Sequence, residues 1–280
     1  MKMTYPVTLL TAALLASGAG AWAQQGPEQR YLSVISLKVP PAKEAAFTEH
    51  YKTGAGAKAI RARMQANPQA VRWTLLRAVY AGDPAQEANY MLATVSTGPP
   101  VELDAAKRDE MSRSSTGMSY PDYMQLVRTM SDTVGTTLSH LHDVTPGYAL
   151  AEDDYVVVRR LKFGPGKQQG VAELYRTVRL PMATEQVKAG NLKGWSFSHL
   201  TFPGGSSLPY EGTEVMVYKD LASAVGGPGT ATSTGTGLGG AAGFAKLFPS
   251  RNYASYNDTL HETSTNVRTD LYRVVAAYQK

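Results

Sequence analysis

The chain has 280 residues, of which 43% are hydrophobic, and it contains no cysteine. This hydrophobic content excludes general disorder, and the absence of cysteine excludes disulfides, so stability must come from burial. The formal net charge of +5 is small and the basic residues are scattered, which argues against a nucleic acid partner.

The first residues have the layout of a secretory signal peptide. Lys2 is followed by an apolar run over residues 7–16 and by an Ala-Trp-Ala cleavage pattern that ends at Ala23. The run is shorter than the roughly 20 apolar residues of a transmembrane helix. We therefore predict that residues 1–23 are removed, that no integral membrane segment remains, and that the mature protein is periplasmic or secreted.

The rest of the sequence contains an internal repeat. Tyr31 to Lys43 (YLSVISLKVPPAK) returns as Tyr155 to Lys167 (YVVVRRLKFGPGK), at an offset of 155 − 31 = 124 residues. Later blocks match in the same order, and the offset changes only between blocks, where loops are expected. A duplicated domain produces this pattern. We place repeat 1 at residues 24–149 and repeat 2 at residues 150–280.

Each repeat opens with a predicted strand, since Tyr31 to Val39 and its copy are rich in β-branched and aromatic residues. A turn containing proline leads into a helix. In repeat 1 the residues Phe47, Tyr51 and Ala55 recur at a spacing of four and predict one apolar stripe. In repeat 2, Pro181 should kink or split the corresponding helix.

A predicted hairpin, a helix and a last strand complete each repeat. The predicted hairpin strands are Arg72 to Tyr80, Asn89 to Val95, Gly194 to Phe202 and Thr213 to Tyr218. The closing helices lie near Tyr123 and Tyr256, and the last strands run through Leu138 and Leu271. The order is β-α-β-β-α-β. The low-complexity segment at residues 226–243 is predicted to be a flexible Gly/Thr-rich loop.

This order, together with the Y-x-V-x-x-L-K-x-x-P-x-K opening at Tyr155 to Lys167, resembles the dimeric α/β-barrel superfamily. The resemblance implies an α+β fold in which two tandem ferredoxin-like repeats pair their sheets into an α/β barrel. It leaves open whether the chain is a monomer by internal pairing or a homodimer. Members range from cofactor-free monooxygenases to haem enzymes to proteins of no known activity, so the resemblance does not specify a function.

The second strand of each repeat carries the first candidate ligand-binding residues. Alternation puts Trp73 and Arg77 on one face, and Trp195 and His199 at the equivalent positions. If this face lines a barrel interior, Arg77 and His199 could bind a polar or anionic group. If it packs on the helices, both are strand-end residues that reach solvent. Arg159 completes the set of candidate ligand-binding residues.

His140 and His142 lie two residues apart on the last strand of repeat 1, a spacing at which two imidazoles can clamp a metal. A metal site needs a third ligand, for which the sequence offers His50, His199, His261 or Asp143. An ordinary strand with two exposed histidines is the favoured interpretation, so no metal is predicted.

Haem is weighed separately because tandem ferredoxin-like proteins of this length resemble chlorite dismutase-like and dye-decolourising peroxidase-like proteins. The axial candidate is His261, with Arg77 or Arg159 as a distal group. The peroxidase-type G-x-x-D-G motif is absent. We predict no cofactor and keep haem as an alternative.

The sequence contains no recognisable catalytic set, and its 16 tyrosines suit both packing and a cavity for a flat ligand. The main hypothesis is an exported protein that binds a small, partly apolar or aromatic molecule in a barrel cavity. One alternative is a cofactor-independent monooxygenase or isomerase, and a second is a haem-binding oxidoreductase. The sequence does not identify the ligand or the reaction.

Overall fold

The computed structural model describes residues 30–80, 88–204, 208–226 and 238–280. The predicted signal peptide lies outside the described residues, and so do residues 227–237 of the predicted Gly/Thr-rich loop. None of the helices in the described ranges has the length and apolarity needed to cross a membrane.

Eight antiparallel strands close one barrel. The strands are β1 (Arg30–Lys38), β2 (Ala70–Tyr80), β3 (Tyr90–Ser96), β4 (Asp132–Val144), β5 (Tyr155–Phe163), β6 (Gly194–Phe202), β7 (Gly212–Tyr218) and β8 (Ser264–Gln279). Around the barrel the order is β1-β3-β2-β8-β5-β7-β6-β4. Repeat 1 therefore supplies the sheet β4-β1-β3-β2, and repeat 2 supplies the equivalent sheet β8-β5-β7-β6. The predicted fold class is confirmed.

Two seams join the repeats, and both use the long last strand of a repeat. The first part of β4 pairs with β1, while its end pairs with β6 from Leu138↔Phe202 to Val144↔Ser196. In the same way β8 pairs first with β5 and then with β2. Each strand is longer than a sheet of one repeat needs, so it reaches the other repeat. The duplication thus supplies the second sheet of the barrel within one chain.

The helices cover the outside of the barrel. They are α1 (Glu44–Lys52), α2 (Ala55–Ala66), α3 (Ala105–Thr116), α4 (Tyr120–Met130), α5 (Gln168–Leu174), α6 (Leu180–Lys188), α7 (Leu221–Gly226), α8 (Gly240–Leu247) and α9 (Tyr253–Thr263). Helices α4 and α9 are the closing helices that the sequence predicted. Both begin with a side-chain cap, from Ser119 and Asn252 respectively, which satisfies backbone N–H groups of the first turn.

Two details differ from the sequence predictions, whereas the predicted interruption of the repeat 2 helix near Pro181 is present. The stripe Phe47, Tyr51, Ala55 does not lie on one helix, because the backbone is extended at Gly54 and Ala55 begins α2. In repeat 2 a five-residue π-helical segment, Tyr175–Arg179, precedes Pro181 and separates α5 from α6. The predicted loop at residues 226–243 ends early, because α8 begins at Gly240.

The core has three parts, and two of them lie between the sheets and the helices. In repeat 1, Phe47 and Tyr51 of α1 pack against Trp73 and Leu75 of β2. In repeat 2, the equivalent layer is larger and includes the following side chains: Tyr175, Met182, Trp195, Phe197, Met216, Tyr218, Phe244 and Tyr256. The third part lies inside the barrel and contains Leu76, Met91, Val156, Val158, Tyr272 and Val274.

Candidate functional site: the barrel interior

Strand alternation decides which side chains reach the barrel interior. On β2, Arg72, Thr74 and Leu76 line the interior cavity, whereas Trp73 and Leu75 belong to the helix-side core. On β6, Ser196 lines the cavity and Trp195 packs under the helices. On these two strands the tryptophans therefore face the helix layer, and the residues that alternate with them face the interior.

A cavity of about 100 Å³ remains inside the barrel. Both repeats contribute to its wall, which is mainly aliphatic and includes Leu32, Val34, Met91, Val156, Val158 and Val215. An engineered protein cavity of about 150 Å³ with an apolar lining takes up benzene or xenon. The interior space therefore matches a small molecule, and it is far too small for a haem macrocycle.

The two ends of the cavity each carry an arginine beside a tyrosine. Arg72 lies 4.4 Å from the ring centroid of Tyr148, and Arg160 lies 5.5 Å from that of Tyr210. On β8, Arg72 is the strand partner of Gln279 and Arg160 is the strand partner of Arg268. These two β8 positions are 279 − 268 = 11 residues apart. That separation is about 36 Å of strand, so the two arginines mark opposite ends of the barrel.

The two arginines differ in their electrostatic partners. Arg160 forms an ion pair with the buried carboxylate of Asp270, which also accepts from Arg268 Nε at 2.8 Å. Tyr272, Asp270 and Tyr210 outweigh the effect of burial and raise the pKa of Arg160. Arg72, in contrast, has no ion pair with a carboxylate in the described part of the chain, and its Nη1 donates only to the carbonyl oxygen of Tyr148 at 3.3 Å.

Tyr148 comes from the segment that connects the two repeats. Its ring lies against Gly194 so closely that a Cβ built there would be 2.3 Å from Tyr148 Cδ2. Burial raises the pKa of the Tyr148 phenol, while Arg72 and a hydrogen bond with Ser196 oppose that shift. The connecting segment thus supplies one wall of the cavity at the Arg72 end.

The helix-side core of repeat 2 contains a second polar cluster, built around Glu214. Glu214 Oε1 accepts from Arg179 Nε at 2.8 Å and from Trp195 Nε1 at 2.7 Å, and Arg159 Nη1 lies 3.6 Å from Oε2. Burial tends to raise the pKa of Glu214, but Arg179, Arg159 and Trp195 outweigh burial and hold the pKa below its usual range. This cluster is enclosed by packed side chains and does not line the interior cavity.

A histidine cluster lies on the outer face of the seam between β4 and β6. His140 Nδ1 is 3.4 Å from His142 Nε2, and the His142 and His199 rings are 4.3 Å apart between centroids. Burial, followed by the charges of the neighbouring histidines, lowers the pKa of His142 to about 4 and that of His199 to about 3. Both rings are therefore neutral at pH 7.

The structure brings His199, one of the sequence's possible third metal ligands, next to His142. Asp143, another of them, follows His142 on β4 and accepts from Arg176 Nε at 3.5 Å. His50 lies elsewhere, against Tyr51 and Tyr123 in the helix layer of repeat 1. His261 is exposed on α9. Nowhere in the described ranges do three His, Cys, Asp or Glu side chains form a group with metal-holding geometry.

The candidate ligand-binding residues do not all converge on one site, although Trp195 and Arg159 both contact Glu214. Trp73 and Trp195 face the helix layer, and Arg159 lies in the Glu214 cluster. Arg77 is 54% exposed and pairs with Glu44 at 2.5 Å, whereas His199 packs in the histidine cluster. Of the two orientations that the alternation allowed, the structure has the helix-facing one. The condition under which Arg77 and His199 could bind a polar group in the barrel interior is therefore not met.

The residues weighed for haem do not fit an axial site. His261 is exposed, Arg77 belongs to repeat 1, and Arg159 is held by Glu214. The space between the sheet and the helices of repeat 2 is filled by buried aromatic and aliphatic side chains.

Sequence comparison finds no matching family model and no matching curated protein. Structural comparison does find similar proteins. A candidate monooxygenase from Fusobacterium nucleatum subsp. nucleatum has a TM-score of 0.55 at 8% identity, covering 91% of this chain and 96% of that chain. A candidate monooxygenase from Lactobacillus acidophilus NCFM has a TM-score of 0.50 at 8% identity, covering 90% and 97%. A haem-binding protein from Thermus thermophilus has a TM-score of 0.43 at 8% identity, covering 89% and 92%.

At these identities the first two likenesses show the fold alone. The closed barrel and the order of its strands define an α+β barrel built from two fused repeats, and the two candidate monooxygenases share this fold.

Sequence reasoning missed Arg72, Tyr148 and Arg160 as the polar groups of the interior. One signal was available: on β6 the serines at positions 196 and 198 alternate with Trp195 and Phe197. Small side chains on one face of a strand suit the confined interior of a narrow barrel.

Proposed function

We propose that this protein binds a small, partly apolar molecule inside the barrel. The observation that carries the proposal is the interior cavity, because its wall is mainly aliphatic and each end carries an arginine, the buried Arg72 and the partly buried Arg160. Ligand sites commonly combine a mainly apolar wall with a few placed polar groups. A solidly filled barrel would have excluded this function, and the barrel is not solidly filled.

A neutral apolar probe tests this function directly. We expect toluene to change the NMR shifts of cavity residues such as Val156 and Ala93, with saturation as its concentration rises. Ala93→Leu places extra carbon atoms in the cavity and should weaken toluene binding, whereas Val134→Leu changes an exposed side chain and should not. Failure of toluene and of charged analogues to bind the wild-type protein would refute the proposal.

The proposed binding protein is an exported one, because residues 1–23 have the layout of a signal peptide. The measurement is N-terminal sequencing of the full-length product after expression in a Gram-negative host. We expect a mature N-terminus at Gln24 in the periplasmic fraction. A product that keeps Met1 and stays in the cytoplasm would contradict export.

The monooxygenase or isomerase alternative has the support of shared fold alone, since activity in a structural neighbour belongs to that neighbour. Its candidate polar residues, Arg77 and His199, contact different side chains here. The haem alternative depends on His261, which is exposed. Small-molecule binding in the barrel is therefore the function that the geometry supports best.

A further inference from the structure

Arg72 is a buried cation without a matching anion. Its exposure is 6%, and it lines the cavity from β2. None of the ion pairs in the described part of the chain includes it, although the other cavity arginine, Arg160, pairs with Asp270. Its interactions are one hydrogen bond to the Tyr148 carbonyl oxygen and the stack on the Tyr148 ring. The Arg72 end of the cavity is thus electropositive.

The protein cannot remove this charge by deprotonation under ordinary conditions. Burial lowers the pKa of Arg72, Tyr148 opposes the shift, and Arg30 reinforces it. A guanidinium nevertheless stays protonated in proteins, because its pKa begins above 12. A buried charge is costly unless a counter-charge and hydrogen bonds accompany it. An anion that enters the cavity would supply both.

The hydrogen-bonding geometry of Arg72 also suits an anion. A guanidinium presents its N–H groups in a planar fork that matches the two oxygens of a carboxylate. In the described part of the chain only Nη1 donates to an acceptor, so Nε and Nη2 can still donate to a ligand. Thr74 and Ser139 line the same cavity, and their hydroxyl groups offer further donors.

The rest of the cavity limits the charge and the size of the anion that can bind. At the other end of the cavity Arg160 is already paired with Asp270. The wall between the two ends consists mainly of Leu, Val, Met and Ala side chains, which cannot solvate a second charge. The volume of about 100 Å³ restricts the body to a small ring or a short branched chain. A compact monocarboxylate meets both limits, and a phosphate dianion or a sugar does not.

We infer that the barrel interior binds a small monocarboxylate with an apolar body, and that Arg72 holds the carboxylate while the aliphatic wall holds the body. This inference rests on the proposed small-molecule binding and adds the chemical class of the ligand. Tyr148 positions the guanidinium, since its ring and its carbonyl oxygen both contact Arg72.

The experiment compares benzoate with benzamide, which has nearly the same shape and no charge, by calorimetric titration of the mature protein at pH 7. Benzoate should bind at least tenfold more tightly, which corresponds to about 1.4 kcal/mol. In Arg72→Gln the preference should vanish while toluene binding persists. Arg77→Gln removes an arginine outside the cavity and should leave benzoate affinity unchanged.

A readout on the wild-type protein keeps the test independent of the variant's folding. Benzoate should shift the Nε–H resonance of Arg72 in NMR spectra, and benzamide should shift it far less. Equal binding of benzoate and benzamide, with toluene bound, would overturn the carboxylate assignment and leave the cavity function standing. Tighter binding of inorganic phosphate than of benzoate would also overturn it. If toluene, benzamide and benzoate all fail to bind, the proposed function itself falls.

Discussion

Glu214 holds together three polar groups in the helix-side core of repeat 2. Its carboxylate accepts from Arg179 and Trp195 and faces Arg159, and both Glu214 and Arg179 are almost completely buried. The net contribution of such an arrangement is smaller than its attraction suggests, because burying the charges is itself costly. Removing one member alone should lower the stability strongly, because the remaining charges then stay buried without a counter-charge.

We expect Glu214→Gln to destabilise the protein by about 3–5 kcal/mol, measured by urea unfolding at pH 7. Because the pKa of Glu214 is lowered in the folded state, its stabilising effect is complete above the unfolded pKa. The difference from the wild type should therefore shrink as the pH falls through the lowered pKa. Glu185→Gln, which breaks an exposed pair with Lys188, should have a far smaller effect, because solvent screens an ion pair at the surface. Equal costs for the two variants would contradict the prediction.

The histidine cluster should make the protein sensitive to mild acid. His142 and His199 have pKa values lowered to about 4 and about 3, so between pH 6.5 and 4 the unfolded chain binds more protons than the folded one. The free energy of unfolding must then fall as the pH falls. We expect a loss on the order of 1–2 kcal/mol per histidine by pH 4.5, after allowance for solvent screening.

Urea unfolding at pH 7 and pH 4.5 measures this dependence. Asp143 lies beside the cluster, and burial raises its pKa despite Arg176, so its titration offsets part of the loss. A comparison of variants removes that contribution. His142→Gln should flatten the dependence, whereas His261→Gln, which changes an exposed histidine, should keep it. Identical profiles for both variants would show that the cluster does not titrate as described.

At the scale of elements, the contact between β6 and the connecting segment depends on one glycine. Gly194 leaves room for the Tyr148 ring, which in turn stacks on Arg72. Gly194→Ala must displace the ring, since the new Cβ would overlap it. We expect a destabilisation of about 1–3 kcal/mol, measured by thermal unfolding, and weaker benzoate binding, measured by calorimetry.

A second glycine provides the matched control for that substitution. Gly170 lies in α5 and has no heavy atom within 4 Å of an added Cβ. Gly170→Ala should therefore leave benzoate affinity unchanged and stabilise the helix by about 0.5–1 kcal/mol. If Gly194→Ala behaves like Gly170→Ala, the Tyr148 ring does not depend on this contact.

The element order could be predicted from the repeat, because its matching residues lie in strands and helices and its register changes lie in loops. Which face of each strand points into the barrel could not be predicted in this way. Period-two alternation on β2 separates Trp73 from Arg72, but both faces contain apolar residues, so alternation alone does not show which face lies inside. The strand pairings that join the two repeats could not be predicted from the sequence either. The contact between His142 and His199 depends on one of these pairings, that of β4 with β6.

At the scale of the whole molecule, the structure closes the barrel within one chain, and the seam between β2 and β8 allows this to be tested. Arg77 and Arg273 are paired residues across that seam, on strands from different repeats. Both side chains are about half exposed, and each has its own surface ion pair, with Glu44 and Asp153. Replacing them should therefore cost little stability.

The double variant Arg77→Cys/Arg273→Cys introduces two thiols into a chain that has no cysteine. Paired residues of antiparallel strands have Cα atoms about 4.5–5.5 Å apart, within the range that a disulfide spans. Oxidation should give an intramolecular disulfide, so nonreducing electrophoresis should show a monomer that migrates faster than the reduced form. A covalent dimer would instead mean that β2 pairs with β8 of a second chain, as in barrels assembled from two subunits.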